Sequence, residues 1–311
     1  MRTALLLIGF NRVDYFDQTL TSLEANPEAH GCDLHIYLDG GPKANQTALQ
    51  ERIAASTFDG ITVVAREENW GIGRHLTDAR RTLFDEKGYD RVILFEDDMV
   101  LAPSYVSTVL NIMDWATPYN DIGTVMAYTI NKDTAEEQAS QVDQVVATNR
   151  HFWGYGMAKP VWDDIKATLY AFEERYLQGV SYGERAHRSI RWRFIRSIAK
   201  RGSMPKDGTP LLPPSVRSAP FSSMPFGCPT SQDAITALAL WHHGYGRITT
   251  RVSRARYVGQ QGFSFSPEVF EKMGFGDQNT LDLSILTEAP STFTLAVNDQ
   301  NGLPLKPPKY E

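Results

Sequence analysis

Residues 92–98 read Val-Ile-Leu-Phe-Glu-Asp-Asp, an apolar run that ends in three acids. Four consecutive apolar residues are typical of a strand buried on both faces of a parallel sheet. Adjacent carboxylates repel one another, and burial raises their pKa values further. A divalent cation relieves this repulsion, because carboxylate oxygens suit hard ions such as Mg2+ or Mn2+. The alternative is that the acids only favour the positive end of the helix that follows.

The same alternation of buried runs and helical spacing extends in both directions from this segment. Apolar runs predict strands over residues 4–8, 34–38, 61–65 and 122–128. Helical patterns fall between them, over residues 16–23, 48–55, 74–84 and 103–115. Strands that alternate with helices indicate an α/β fold with a mostly parallel sheet and right-handed crossovers.

Polar residues follow four of these predicted strands. They are Arg12 with its neighbour Asn11, Asp39, the turn at residues 69–73, and the acidic triplet. The carboxyl ends of parallel strands share one edge of a sheet, where α/β proteins bind ligands. We therefore expect these four clusters to converge.

Two stretches carry a family resemblance. Residues 91–103, Arg-Val-Ile-Leu-Phe-Glu-Asp-Asp-Met-Val-Leu-Ala-Pro, resemble the metal-site segment of GT-A-fold glycosyltransferases, most closely the N-acetylglucosaminyltransferase I type. Residues 7–12, Leu-Ile-Gly-Phe-Asn-Arg, resemble the opening of family 2-like transferases, and the resemblance covers roughly residues 3–160. It implies a GT-A-like, Rossmann-like sheet flanked by helices. Residues 1–130 would bind a nucleotide-sugar donor and the irregular residues 131–311 an acceptor, within one catalytic domain.

The resemblance also implies roles for individual residues. Asp98 would bind Mn2+ or Mg2+, Asp97 the ribose hydroxyls and Glu96 the donor sugar. The remaining donor-binding residues would be Arg12 at the diphosphate or base pocket, Asp39 at the base or ribose, and Asn69 and Gly71 in an Asn-x-Gly segment.

The acceptor side is predicted from the second half of the chain. Asp233 begins an apolar helical pattern at 231–243 and resembles the acidic helix start that carries the general base in such families; alternatively it only complements the helix dipole. Trp153 and Gly154 are predicted to contact the acceptor, the first by stacking on a sugar, or else to form a buried aromatic turn. Gly262 and Ser264 resemble a loop that closes over the diphosphate, or else form an ordinary turn.

Residues 184–201 contain seven Lys or Arg and one acid, with apolar residues four apart at Ile190, Phe194 and Ile198. This pattern predicts a basic amphipathic helix. It indicates contact with anionic lipid, contact with an acidic or lipid-linked acceptor, or a solvated face. The next segment, residues 202–230, holds seven of the 17 prolines and is predicted to be a long loop.

Composition narrows the class of protein. The net charge of −6 argues against a general nucleic-acid binder, and no apolar run reaches the length of a membrane-spanning helix. Two cysteines in 311 residues and no visible secretory signal predict a cytoplasmic protein, with peripheral contact at the cytoplasmic membrane face if the basic helix binds lipid.

The sequence therefore predicts an inverting transferase that moves a sugar from a nucleotide diphosphate sugar, with a UDP-sugar as the donor class, to a glycan or lipid-linked acceptor. Two alternatives stay open. A sugar-phosphate nucleotidyltransferase also uses carboxylates and Mg2+, although residues 11–14 lack its basic Gly-rich loop. A non-catalytic glycan-binding module of the same fold is the other.

Overall fold

The computed structural model describes residues 1–131, 133–148, 152–180, 184–198, 208–213, 231–262, 266–276 and 282–297. In these ranges the strands are β1 Thr3–Gly9, β2 Asp33–Leu38, β3 Ile61–Ala65, β4 Arg91–Phe95, β5 Met99–Leu101, β6 Ile122–Met126, β7 Gln144–Ala147, β8 Tyr155–Ala158, β9 Gly246–Thr250, β10 Ala255–Tyr257 and β11 Thr294–Leu295. The helices are α1 Val13–Glu24, α2 Gln46–Ala54, α3 Gly71–Arg81, α4 Tyr105–Ala116, α5 Ala135–Ala139, α6 Lys159–Tyr176, α7 His187–Ile198, α8 Gln232–His242 and α9 Pro267–Lys272.

Nine of the described strands form one sheet in the order β11-β7-β9-β6-β8-β4-β1-β2-β3. Strands β1, β2, β3 and β4 pair in parallel, and so do β6 and β9. Strand β8 is antiparallel to both β4 and β6, so those two strands point the same way. The predicted α/β fold with a mostly parallel central sheet flanked by helices is confirmed. Strands from both sides of residue 130 share this sheet.

The sheet separates two apolar cores, as the alternation of side chains along a strand requires. In β1, Leu5 and Leu7 join the core under α1 and α4, whereas Leu6 faces the opposite core with α3, α6 and α8. In β4, Ile93 and Phe95 alternate with Val92 and Leu94 in the same way. The apolar runs of β1 and β4 are therefore continuous because both faces of these strands are covered by helices.

Two elements in the second half of the chain differ from what the sequence pattern favours. The sequence pattern of residues 247–258 favours one continuous strand, but the segment forms β9 and β10 in different sheets, because Arg254 between them is buried against Ser104 and Glu288. The basic helix begins at His187 rather than at residue 184, because Arg185 is buried beside Gly73 of α3. Its predicted end at residues 199–201 lies outside the described residues.

The short strand β8 was not expected between β4 and β6. Its sequence, Tyr-Gly-Met-Ala, lacks the β-branched residues that mark strands. Helix α4 packs so closely on it that a Cβ at Gly156 would lie 2.7 Å from the sulfur of Met113. Position 156 therefore requires glycine for tertiary packing, which no local pattern indicates.

The Pro-rich segment 202–230 is described only at residues 208–213. There the amides of Leu211 and Leu212 donate to the carboxylate of Asp121, at 2.8 Å each. Within the described part of the chain, no helix combines the length and the apolar character that crossing a bilayer requires.

The turn before β8 yields a stability prediction. Gly154 has a φ of 61°, and a Cβ there would lie 2.3 Å from the hydroxyl of Tyr105. Replacing Gly154 by Ala should lower the free energy of unfolding by about 3 kcal/mol, from left-handed strain plus the clash. Gly88 is the matched control, because its φ is 69° and no atom lies near its Cβ position. Gly88→Ala should cost only about 1 kcal/mol in urea unfolding, and equal losses would disprove the clash.

Candidate active site

The acidic triplet lies at the carboxyl end of β4. Asp97 and Asp98 are buried, at 6% and 3% exposure, whereas Glu96 is half-buried. The backbone carbonyl of Asp98 accepts a hydrogen bond from Val258 at 2.9 Å, so the segment after β10 is attached here. The triplet therefore lies at the carboxyl edge of the sheet, as the sequence predicts.

Arg12 holds the two aspartates. Its Nη2 lies 2.8 Å from Oδ2 of Asp98, and its guanidinium also pairs with Asp97, where Nε is 3.3 Å from Oδ2. Burial alone would lower the pKa of Arg12, but the two carboxylates raise it above its ordinary value. Arg12 follows β1 directly, so adjacent parallel strands bring the cation to the acids.

The carboxylates still experience an unfavourable environment. Burial raises the pKa of Asp97 and of Asp98, although Arg12 opposes this effect. The pKa of Glu96 is held well above its ordinary value by the loss of water and by the charges of Asp98, Asp233 and Asp97. One guanidinium therefore does not neutralise all three acids.

Asp98 has one free carboxylate oxygen. Its Oδ2 is bound by Arg12, and the hydroxyl of Tyr257 also hydrogen-bonds to the side chain. Its Oδ1 is buried without a hydrogen-bond partner. A buried oxygen atom of this kind fits a hard cation. No group of three or more His, Cys, Asp or Glu side chains suited to a metal occurs in the described ranges, so a cation there would need ligand and water oxygens.

The loop after β10 covers the same point. A Cβ at Gly259 would lie 2.7 Å from Oδ2 of Asp98, so only glycine allows this approach. The carbonyl of Gln261 accepts from Nη1 of Arg12 at 3.4 Å, and Gly262 lies against the same nitrogen. Gly262 is thus brought to Arg12, whereas Ser264 lies outside the described residues.

Asp39 anchors a second polar cluster at this edge. Its carboxylate accepts backbone N–H groups from Gly40, Trp70 and Gly71 at 2.8–2.9 Å. Gly71 has a φ of 68°, which suits glycine at the start of α3. Asn69 is exposed beside it. The structure shows Asp39 ordering the turn at residues 69–71; the prediction that it contacts a nucleotide is untested.

Asp233 lies in the first turn of α8, with Ser231 as the N-cap. Burial raises the pKa of Asp233 to about 6, while the charges of Arg80 and Arg247 lower it. Asp233 in turn raises the pKa of Glu96, so the two carboxyls act on each other across 137 residues of sequence. The fold therefore brings the candidate base to the triplet.

Arg80 supports this end of α8. It is fully buried, and its Nη1 donates to Tyr155 at 3.1 Å and to Thr236, one turn after Asp233, at 3.4 Å. No sequence pattern indicates a role for Arg80, Arg247 or Tyr257. Each lies in an ordinary helix or strand pattern, and only the fold brings it to a carboxylate.

Trp153 and Gly154 lie on the other side of Tyr257. The Trp153 ring is 8% exposed and stacks on Tyr257 with 4.1 Å between centroids and an angle of 2°. The hydroxyl of Tyr105 donates to the carbonyl of Gly154 at 2.9 Å. One face of Trp153 is thus covered by protein, and its predicted contact with an acceptor remains a prediction.

A scan of protein-family models and a search of curated proteins found no match to this chain. Among solved structures, the chain is similar to Pyrobaculum calidifontis mannosyltransferase PcManGT in complex with GDP-Man and Mn2+, at 12% identity, covering 77% of this chain and 73% of that one with a TM-score of 0.44. It is also similar to S. aureus TarS 1–349, at 10% identity and a TM-score of 0.38 over 59% of this chain. The match spans 52% of that chain, about half its length.

The pairing of Arg12 with two buried acids predicts a large stability effect. Replacing Arg12 by Met leaves Asp97 and Asp98 without their cation, which should lower the free energy of unfolding by about 3 kcal/mol at neutral pH. The control is Arg2→Met, because the Arg2–Asp33 pair is 3.4 Å long and exposed; it should cost less than about 1 kcal/mol. Urea unfolding measures both, and similar losses would contradict this assignment.

Proposed function

We propose that this protein is a nucleotide-sugar-dependent glycosyltransferase whose donor site is the Arg12–Asp97–Asp98 cluster. The observation that supports this most directly is the buried Asp98, whose Oδ1 has no protein partner although the rest of its carboxylate is bound. In native structures an atom in that state is explained by strain, by a catalytic role, or by a water or ion at that position. The position at the carboxyl edge of a mostly parallel sheet is where nucleotides bind in α/β folds.

Asp98 would hold Mn2+ or Mg2+ at this site. A bound divalent cation would neutralise the charge of a leaving diphosphate. Arg12 adds a fixed positive charge at the same point, and the loop at residues 259–262 would shield the phosphates from water. Glu96 and Asp97 would accept hydrogen bonds from the hydroxyls of the donor sugar and the ribose. Asp39, Asn69 and Gly71 would form the base and ribose side.

Asp233 would act as the general base. It would take the proton of the acceptor hydroxyl while that oxygen forms a bond to the anomeric carbon of the donor sugar. The bond from this carbon to the diphosphate oxygen breaks in the same step, and the diphosphate leaves with the electron pair. A single displacement inverts the anomeric configuration. Trp153 and Gly154 would border the acceptor, a glycan or lipid-linked saccharide, and a UDP-sugar is the donor class that we expect.

Nucleotide binding tests the donor site. With Mn2+, the protein should bind UDP and release UDP from a suitable UDP-sugar, and Asp98→Asn should weaken nucleotide binding at least about tenfold through loss of the metal ligand. Calorimetry with and without EDTA measures this. The charge-matched control is Asp59→Asn, because Asp59 is exposed and lies in the loop between α2 and β3. Metal-independent binding, or equal binding by both variants, would contradict the donor site.

The base yields a separate prediction. Asp233→Asn should lower transfer to the acceptor by about 10²–10⁴-fold. Nucleotide binding should be kept, which distinguishes a chemical role from loss of the fold. A glycan-binding module would show neither nucleotide release nor this effect.

The pH profile tests the same residue. Burial raises the pKa of Asp233 to about 6. A base acts only when ionised, so kcat/KM should be level above this pH and fall about tenfold per unit below it. A profile that stays level down to about pH 4.5, near the ordinary value for a carboxyl group, would exclude Asp233 as the base.

A further inference from the structure

A surface cavity of about 540 Å³ lies between the end of α6 and helix α7. Six residues line it: Arg175, Tyr176, Ser189, Trp192, Arg193 and Arg196. Three are arginines and none is acidic. Its volume falls in the usual range for small-molecule sites. The proposed donor-binding residues and the proposed base, Asp233, all lie outside this part of the chain.

The charge of this cavity is not compensated by neighbouring acids. No ion pair joins the three arginines to any residue within the described ranges. The acids beside Arg175 on α6 do not line the cavity; Glu173 is paired with Arg81 on α3, and Glu174 is exposed. Helix α7 itself carries four arginines and no acid. The cavity is therefore a concentrated positive site.

Its aromatic residues are unevenly buried. Ile190 of α7 is 1% exposed and attaches the helix to the core, whereas Trp192, two residues later, is 64% exposed. The buried ring of Tyr176 forms part of the opposite wall, and its hydroxyl contacts Ser189 at 3.3 Å and hydrogen-bonds to Arg193. Trp192 is therefore an exposed aromatic side chain that lines the cavity.

We propose that this cavity is a second binding site, specific for a phosphate ester. Guanidinium groups offer planar pairs of N–H donors that match phosphate oxygens. Trp192 and Tyr176 provide apolar surface for the organic part of the ester. Arg175 comes from α6 and the other two arginines from α7, so the two helices together set the spacing of the donors. The site is independent of the proposed donor site.

Binding of glycerol 3-phosphate tests the site. Calorimetry is done on Asp98→Asn protein in EDTA, so that the donor cluster and metals do not contribute. The double variant Arg193→Ala/Arg196→Ala should lose binding at least about tenfold. The matched control, Arg188→Ala/Arg191→Ala, removes the same charge from exposed positions of the same helix outside the cavity. It should bind nearly as the parent does. Equal losses would overturn the proposal in favour of general charge attraction.

Trp192 provides an independent readout. Its emission should change on binding, and Trp192→Phe should abolish this change while calorimetric binding persists. A signal that persists in Trp192→Phe would place the ligand at another tryptophan and contradict the site. The proposal is also overturned if the Asp98→Asn protein without further substitutions binds no glycerol 3-phosphate. This result does not depend on whether the unsubstituted protein binds UDP.

A final arm distinguishes a soluble ester from a lipid headgroup. Flotation compares vesicles of phosphatidylglycerol in phosphatidylcholine with vesicles of phosphatidylcholine alone. If binding to the anionic vesicles depends on Arg193 and Arg196 but not on Arg188 and Arg191, the phosphate of a lipid headgroup occupies the cavity. If the vesicles do not bind while glycerol 3-phosphate does, the ligand is a soluble ester, and the proposal still holds.

Discussion

The site depends on one electrostatic constraint, which is that Asp97 and Asp98 are buried side by side and share the single guanidinium of Arg12. Two carboxylates in a low-dielectric environment repel each other, and a lone buried charge is costly. Arg12 offsets part of this cost, yet the pKa values of both acids stay raised. A fold optimised for stability alone would not retain this arrangement. The residual negative charge is the physical basis of the proposed cation site.

The position of the two acids at the end of β4 determines which segments of the chain surround them. Strands β1 and β4 are parallel neighbours, so their carboxyl ends place Arg12 and the acids together. Strand β10 and the loop after it approach the same pair of acids. The hydroxyl of Tyr257 in β10 hydrogen-bonds to Asp98, and Gly259 lies against the same carboxylate. Trp153 stacks on Tyr257 and joins this cluster to the turn before β8. Residues 12, 97–98 and 257–259, which are far apart in the sequence, therefore meet at the carboxylate of Asp98.

The arginine of the acidic cluster and the arginines of the surface cavity differ in their surroundings. Arg12 is ion-paired and partly buried, and it acts within a site of negative charge. The arginines between α6 and α7 lie in an exposed cavity without acids. The first arrangement suits a cation and a diphosphate together, whereas the second suits an anion alone. Their separation on the chain allows each to be altered by mutation without disturbing the other.

The sequence by itself determined strands β1–β4 and β6 and helices α1–α4, but not the short strand β5, because runs such as 92–95 are apolar on both faces and the helices between them repeat at 3.6 residues. It also determined that polar residues follow those strands, and hence that Arg12 and the acids would meet. It did not reveal β8, whose short strand depends on α4 packing against Gly156, or the break at Arg254. Nor did it indicate Arg80 and Tyr257, whose partners Thr236 and Asp98 lie 156 and 159 residues away in the sequence, or Arg247, whose charge acts on the buried Asp233. Local patterns record periodicity and turn chemistry, whereas the partners of a buried charge are set only when distant segments pack together.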